Sequence, residues 1–337
     1  MNFQNTAISH PVSRRASLMR LSGMAAAIAT LGMPSALWAQ ASDKPVKFIL
    51  PVSAGSGVDG IARAAQNALS KALGQPVVID NQPGAGGVVG TAAMIKSAPD
   101  GQTLSFVSNN HVIYPSVLKS IPFDPVADIT PIAVIGATPM VLVVHPKVPA
   151  NNMKELVALF KANPGKYNYA SSGNGTILHL AAEMFKDVTK SFVTHIPYRG
   201  TGAMVSDILA GQIDMGVLAL PAVMAHIKAG TMRAICISAP QRSPAAPEIP
   251  TSAEAGYPAY LVEGWFAVVG PKGLPAEQVK RINAALVTTF ATAEVKEAMA
   301  KQGNTINVST PEFAAKHFKA ELVKYAALVK KAGVVPQ

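Results

Sequence analysis

Apolar runs rich in Val and Ile alternate along the chain with stretches whose apolar residues recur every three or four positions. This alternation predicts an α/β fold built on mainly parallel sheets. A strand over Val46 to Val52 leads into a helix over Asp59 to Leu73, with Ile61, Ala65, Ala68, Leu69 and Ala72 on its inner face and Gly74 as its stop. A strand at Val77 to Asp80, a helix at Val88 to Ser97 and a turn at Pro99-Asp100-Gly101 precede the strand Gln102 to Ser108. After strand Met140 to His145 and helix Met153 to Ala162 comes a second series. Its strands are Lys166 to Ala170, Val193 to Pro197, Ile213 to Val217 and Met232 to Ser238, and its helices are Thr176 to Lys186, Ala203 to Ala210 and Pro221 to Lys228. The Pro-rich segment Pro240 to Pro258 breaks the rhythm, and a strand at Val262 to Val269 and three helical patterns ending near Ala332 follow. Because this tail reads as covering helices, it is expected to return to the first lobe. Residues 42–136 and 240–337 would form that lobe and residues 137–239 an inserted second one, with a hinge at the two connections.

The first residues read as an export signal. Arg14 and Arg15 resemble a twin-arginine start, Leu21 to Leu37 carries no charge, and Ala39-Gln40-Ala41 fits a small-x-small cleavage site, so residues 1–41 are expected to be removed and the mature protein to lie in the periplasm. The whole chain has 29 basic and 19 acidic residues, a net charge of +10. The leader holds Arg14, Arg15 and Arg20 and no acid, leaving 26 basic residues against 19 acidic ones, a net charge of +7. That excess favours an anionic ligand. No Lys/Arg cluster is interleaved with aromatics, so nucleic acid is not expected as a partner.

Several chemistries are disfavoured. Cys236, the one cysteine, sits in the apolar run Met232 to Ser238 and reads as core, with no intrachain disulfide. The seven histidines are scattered without metal-ligand spacing, so no metal is expected. Gly55-Ser56-Gly57-Val58-Asp59-Gly60 matches the dinucleotide pattern GxGxxG, with Asp80 ending the next strand. Yet Ser53-Ala54 separate strand from first glycine, and Asp59 puts negative charge where a pyrophosphate would lie. An NAD-dependent oxidoreductase is therefore the lesser alternative. Ser116 to Lys119 matches SxxK without its companion motifs.

The positive features are two glycine-rich loops at strand-to-helix junctions, Pro51 to Asp59 and Asn81 to Gly87. A helix start leaves unpaired N–H groups, backed by the positive end of the helix dipole, and holds an anion without a charged side chain. These loops, with Ala62-Arg63, Leu73-Gly74-Gln75, Ala98 to Gly101, Tyr169 to Thr176, His179-Leu180-Ala181, His195 to Gly200, Gly211 to Asp214, Pro250-Thr251, Glu254-Ala255-Gly256 and Trp265-Phe266, resemble the Bug family. These are periplasmic solute receptors of tripartite tricarboxylate transporters, and the resemblance covers nearly all of the mature chain.

The resemblance implies a two-lobed, periplasmic-binding-protein-like fold of type II that closes on a small carboxylate and delivers it to a permease of two membrane subunits. It implies a monomer, with no cofactor and no catalysis. Ser53, Ala54, Gly55, Ser56, Gly57 and Asp59 would hold one carboxylate, Asp59 serving equally as a cap that orients the loop. Ser171, Ser172, Gly173, Gly175 and Thr176 would hold the ligand from the other side, with Tyr198, Arg199 and Gly200 at a third helix start. Ser108 and Asn109 end a first-lobe strand in the topological position for contact. His179 reads as a core or capping residue. This chain has Gly55-Ser56 where the family commonly has two glycines, and Leu218-Ala219-Leu220 where it often has an acid and a polar residue. Without that acid a ligand amine is disfavoured, which points to plain di- or tricarboxylates or to aromatic acids such as terephthalate and nicotinate. A periplasmic sensor for a regulatory system is the other reading.

Overall fold

The computed structural model describes residues 44–331 and 333–336; the expected export signal, with Arg14 and Arg15, lies outside them. The first series comprises β1 (Val46–Leu50), α1 (Gly57–Leu73), β2 (Val77–Asn81), α2 (Val88–Ile95), β3 (Thr103–Ser108), α3 (Asn110–Val117) and β4 (Ile129–Val144). Next come α4 (Met153–Ala162), β5 (Asn168–Ser171), α5 (Ile177–Thr189), β6 (Thr194–Pro197), α6 (Thr201–Leu209), β7 (Met215–Ala219), α7 (Leu220–Lys228) and β8 (Arg233–Ile237). The chain ends with β9 (Glu263–Pro271), α8 (Ala276–Ala291), α9 (Ala293–Gln302), β10 (Thr305–Ile306) and α10 (Pro311–Lys331). In α1 the expected stripe of Ile61, Ala65, Ala68 and Leu69 is buried, and Gly74 ends the helix in the left-handed region at φ 67°.

One strand organises both lobes. Along Ile129 to Pro139, β4 pairs antiparallel with β9; from Met140 to Val144 it pairs with β7, and β8 also joins it there. The strand order is β2-β1-β3-β9-β4-β7-β5-β6, with β10 also on β4. The outer pairings, β1 with β2 and β3 and β5 with β6 and β7, are parallel as expected. The centre is mixed instead, because the chain re-enters after β8 and sends β9 back between β3 and β4 against both. Three elements lie where the sequence pattern named none: α3, the first eleven residues of β4 and the short β10.

Phe48, Leu50, Ile61, Leu69, Phe106, Phe266 and Phe290 fill the core between the first sheet and α1 and α8. Phe318 and Tyr325 of α10 join the larger core with Ile113 and Val117 of α3. Cys236 is fully buried and its thiol is pushed up to about 12 by that burial, which makes it a core residue.

His111 in α3 is buried, and its Nε2 lies 2.6 Å from the Pro125 carbonyl, so Nε2 carries the hydrogen. Burial pulls its pKa from 6.5 down to about 4, the Pro125 contact opposing. Between those values the unfolded chain binds the proton and the native one does not. This contribution to stability is therefore complete above pH 6.5 and is lost as pH falls through about 4. Urea melts of wild type should shift to lower midpoints on acidification from pH 7 to 4.5. His111→Gln, which keeps the donor and cannot titrate, should shift less, and equal shifts would refute the assignment.

Candidate functional site

The loop after β1 is fixed by reciprocal capping. Ser56 Oγ accepts the Asp59 N–H at 3.3 Å, while an Asp59 carboxylate oxygen accepts the Gly55 N–H at 3.0 Å. Arg63 Nε, at 2.9 Å, and Asn81 Nδ2, at 3.0 Å, also donate to Asp59, and Asn81 Nδ2 reaches the Val52 carbonyl at 3.2 Å. Burial opposes the charge, but Arg63, the Gly55 N–H and Asn81 together hold the carboxyl below its usual range. Asp59 is thus a permanent anion spent on shaping the loop.

The second lobe repeats the device at the β5–α5 turn. Thr176 Oγ1 accepts the His179 N–H at 3.4 Å and donates to the Gly173 carbonyl at 2.9 Å, and Ser172 Oγ donates to Thr176 Oγ1 at 3.2 Å. Gly200 begins α6. The lobes meet along this line of helix starts. The Ile177 N–H of α5 donates to Asn110 Oδ1 of α3 at 2.8 Å. A Cβ on Gly57 would stand 2.9 Å from Ala219 Cβ, and one on Gly200 would stand 2.8 Å from Ser53 Oγ.

Two adjoining chambers lie between the lobes. The outer one, of about 550 Å³, is walled by Pro51 to Ser53, Pro83 to Gly87, Asn110, Leu118, Ser172 to Asn174, Thr176 and Pro197 to Thr201. The inner one, of about 70 Å³, is bounded by Ser56 to Val58, Ser108 to Asn110, Thr138, Met140, Ile177, Leu178, Ala219 and Gly264 to Phe266, and shares Val52, Asn110, Ser172 and Thr201 with the outer. The starts of α1, α5 and α6 all open on this inner space, so their dipoles make it favourable for negative charge. Arg199, exposed at the outer rim, is the one charged side chain among the described residues that lines either chamber. Among the described residues, the buried Ser53 Oγ and Thr138 Oγ1, one on each chamber, have no hydrogen-bond partner. No group of three or more His, Cys, Asp or Glu among the described residues is placed to hold a metal ion.

Of the residues singled out from the sequence, Ser53, Ser56, Gly57, Ser108, Asn109, Ser172, Gly173, Thr176, Tyr198, Arg199 and Gly200 line the chambers. Ala54, Gly55, Asp59, Ser171 and Gly175 do not: Asp59, Ser171 and Gly175 are buried behind that surface, and Ala54 and Gly55 are exposed to solvent. Asn109 and Tyr198, like Ser56, Ser172 and Thr176, have committed polar groups. The Asn109 amide accepts the Trp265 N–H at 2.8 Å and donates to the Glu263 carbonyl and the Tyr325 hydroxyl. Tyr198 donates its hydroxyl to Asp207 at 2.6 Å, and desolvation and that carboxylate raise it to about 12. The sequence reading did not pick Asn110, Thr138, Thr201 or the lining role of Pro83 to Gly87. Asn110 and Thr201 each follow a chosen residue directly, whereas Thr138 has no local signal.

Residues 61–334 match the family model described as tripartite tricarboxylate transporter family receptor. Protein BugT of Bordetella pertussis is 36% identical over 309 residues, covering 91% of this chain and 95% of that one. The structure of the periplasmic binding protein BugD is 30% identical with a TM-score of 0.83, covering 87% of this chain and 99% of that one. The R. palustris protein Rpa4515, solved with adipate, is 28% identical with a TM-score of 0.84, covering 87% and 98%.

Proposed function

Because this chain belongs to the tripartite tricarboxylate transporter receptor family, we propose that it captures a small carboxylate between its lobes and delivers it, unaltered, to a permease of two membrane subunits. It works in the periplasm as a monomer, after export on residues 1–41. Residues 42–136 with 240–337 close against residues 137–239, and the ligand supplies the differential affinity that shifts open to closed. No helix among the described residues is long and apolar enough to cross a membrane.

The observation that carries the reading is the inner chamber, onto which the starts of α1, α5 and α6 open and which no charged side chain among the described residues lines. One carboxylate sits there, held by N–H groups, by hydroxyls such as Thr138 Oγ1 and by water. The ligand body fills the outer chamber beside Tyr198, and Arg199 meets a second carboxylate. A linear dicarboxylate like adipate or a flat one like terephthalate suits this layout. With Ala219 where an acid would neutralise an ammonium group, amino acids are poor ligands.

A thermal-shift screen of the mature protein against mono-, di- and tricarboxylates, aromatic acids, amino acids and NAD tests this, with calorimetry on each hit. Stabilisation by a dicarboxylate is expected. Ala219→Asp should weaken its binding by about tenfold or more, since a buried like charge would face the ligand. An amino acid bound in preference to its deaminated analogue would overturn the ligand class, and a response to NAD alone would overturn the receptor reading.

A further inference from the structure

We infer that His179 and His195, in their neutral form, are positioning residues for ligand capture: through their hydrogen bonds at its two ends they hold the Ser171–Thr176 turn in the shape that walls the cleft. The inference rests on the cleft being the ligand site. Gly175 donates its N–H to His179 Nδ1 at 3.0 Å, and His195 Nε2 lies 2.7 Å from Ser171 Oγ. Ser171 Oγ in turn accepts the Gly173 N–H at 3.2 Å. Both ends of the turn are thus tied to an imidazole, while Ser172, Gly173 and Thr176 between and beside them face the outer chamber. The rings stack with centroids 4.1 Å apart and 9° between planes, and Tyr169 lies over His195 at 4.7 Å and 13°. Turn and stack must agree closely, because Gly175 has φ +72° and a Cβ there would stand 2.2 Å from Val117 Cγ2.

The bond from Gly175 requires a bare Nδ1 on His179, so the ring hydrogen is on Nε2, toward Glu183 Oε1 at 3.8 Å. The titratable groups around the pair are Tyr169 on β5, Glu183 and Lys186 on α5 and His195 on β6; β7, which packs on α5, brings none. Glu183 is already engaged by the Tyr169 hydroxyl and by Lys186 Nζ at 2.7 Å, so it does not force a proton onto the imidazoles. Burial pulls His195 down to about 4, with His179 adding to the effect, and burial lowers His179 as well. Protonating His179 would set one N–H against the Gly175 N–H and release the turn.

Amide exchange of Gly175, followed by NMR on ligand-free protein, tests this without any ligand. In wild type the amide should be protected at pH 7 and lose protection progressively on acidification. His179→Leu should exchange at least tenfold faster at pH 7. His179→Asn, whose Oδ1 replaces Nδ1 and does not titrate, should stay protected across the range. Calorimetry with adipate as the probe should then show His179→Leu weaker than wild type by tenfold or more and His179→Asn within threefold. Unchanged exchange in His179→Leu, or equal losses of affinity in both variants, would overturn the inference. If wild type binds neither adipate nor any other carboxylate of the screen, the receptor reading fails, and the exchange data alone decide what holds the turn.

Discussion

Valine at position 57 will cut affinity for the stabilising carboxylate about a hundredfold or more, while the ligand-free protein melts within about 2 °C of wild type. Gly57 opens α1, and a Cβ there would stand 2.9 Å from Ala219 Cβ at the start of α7. Its φ is not in the left-handed region, so the backbone accepts a side chain, and the cost falls on the approach of the two lobes. A hundredfold loss corresponds to about 2.7 kcal/mol of penalty on the closed state alone. Gly57→Ala should fall between wild type and Gly57→Val. Calorimetry for affinity and scanning calorimetry for the apo protein make the comparison. Unchanged affinity in Gly57→Val would show that the bound form does not need α1 and α7 this close.

The largest expected loss of stability is at Gly87, where the loop after β2 turns into α2. Its φ is +123°, and a Cβ would stand 2.1 Å from the Tyr114 hydroxyl and 2.7 Å from the Pro51 carbonyl. Backbone strain and overpacking each cost about 1–3 kcal/mol, so Gly87→Ala should lose about 3–5 kcal/mol in urea unfolding. Gly60→Ala is the control. Nothing lies within 4 Å of its Cβ position inside α1, so it should gain a few tenths of a kcal/mol or stay unchanged. Similar values for the two would mean that the loop moves aside at little cost.

Local physics explains which parts were legible in the sequence. α1 and α4 follow from apolar spacing with a cap and a stop, and the glycine-rich starts follow from unpaired N–H groups, which marks the loops after β1 and β2 as candidate anion sites before any coordinates. The first half of β4 was not legible. Pro131, Gly136 and Pro139 argue against a strand, and the sheet accommodates them with register shifts between Pro131 and Ala133 and between Val134 and Gly136. α3 was missed because the Asn109-Asn110 pair and Pro115 read as turn signals, and because burial on most sides erases the amphipathic period. Asn109 has the right position, yet its amide is spent on Trp265, Glu263 and Tyr325, partners 154 to 216 residues away. Thr138 reaches the inner chamber only because β4 crosses between lobes there. Such roles depend on distant chain segments, and no window of sequence contains them.

The insertion of β9 between β3 and β4 also sets the order of folding. Until residues 263–271 have been synthesised, β3 and β4 have no neighbour on their facing edges, and the middle of the sheet is an open seam. The last helix closes the same seam later still, through Tyr325 on Asn109 and Glu321 on the Trp265 indole at 2.7 Å. A nascent chain therefore cannot complete its N-terminal half while it is being made; that half waits for nearly the whole polypeptide, and a ribosome stalled before residue 263 carries a product with two unpaired strand edges ready to associate.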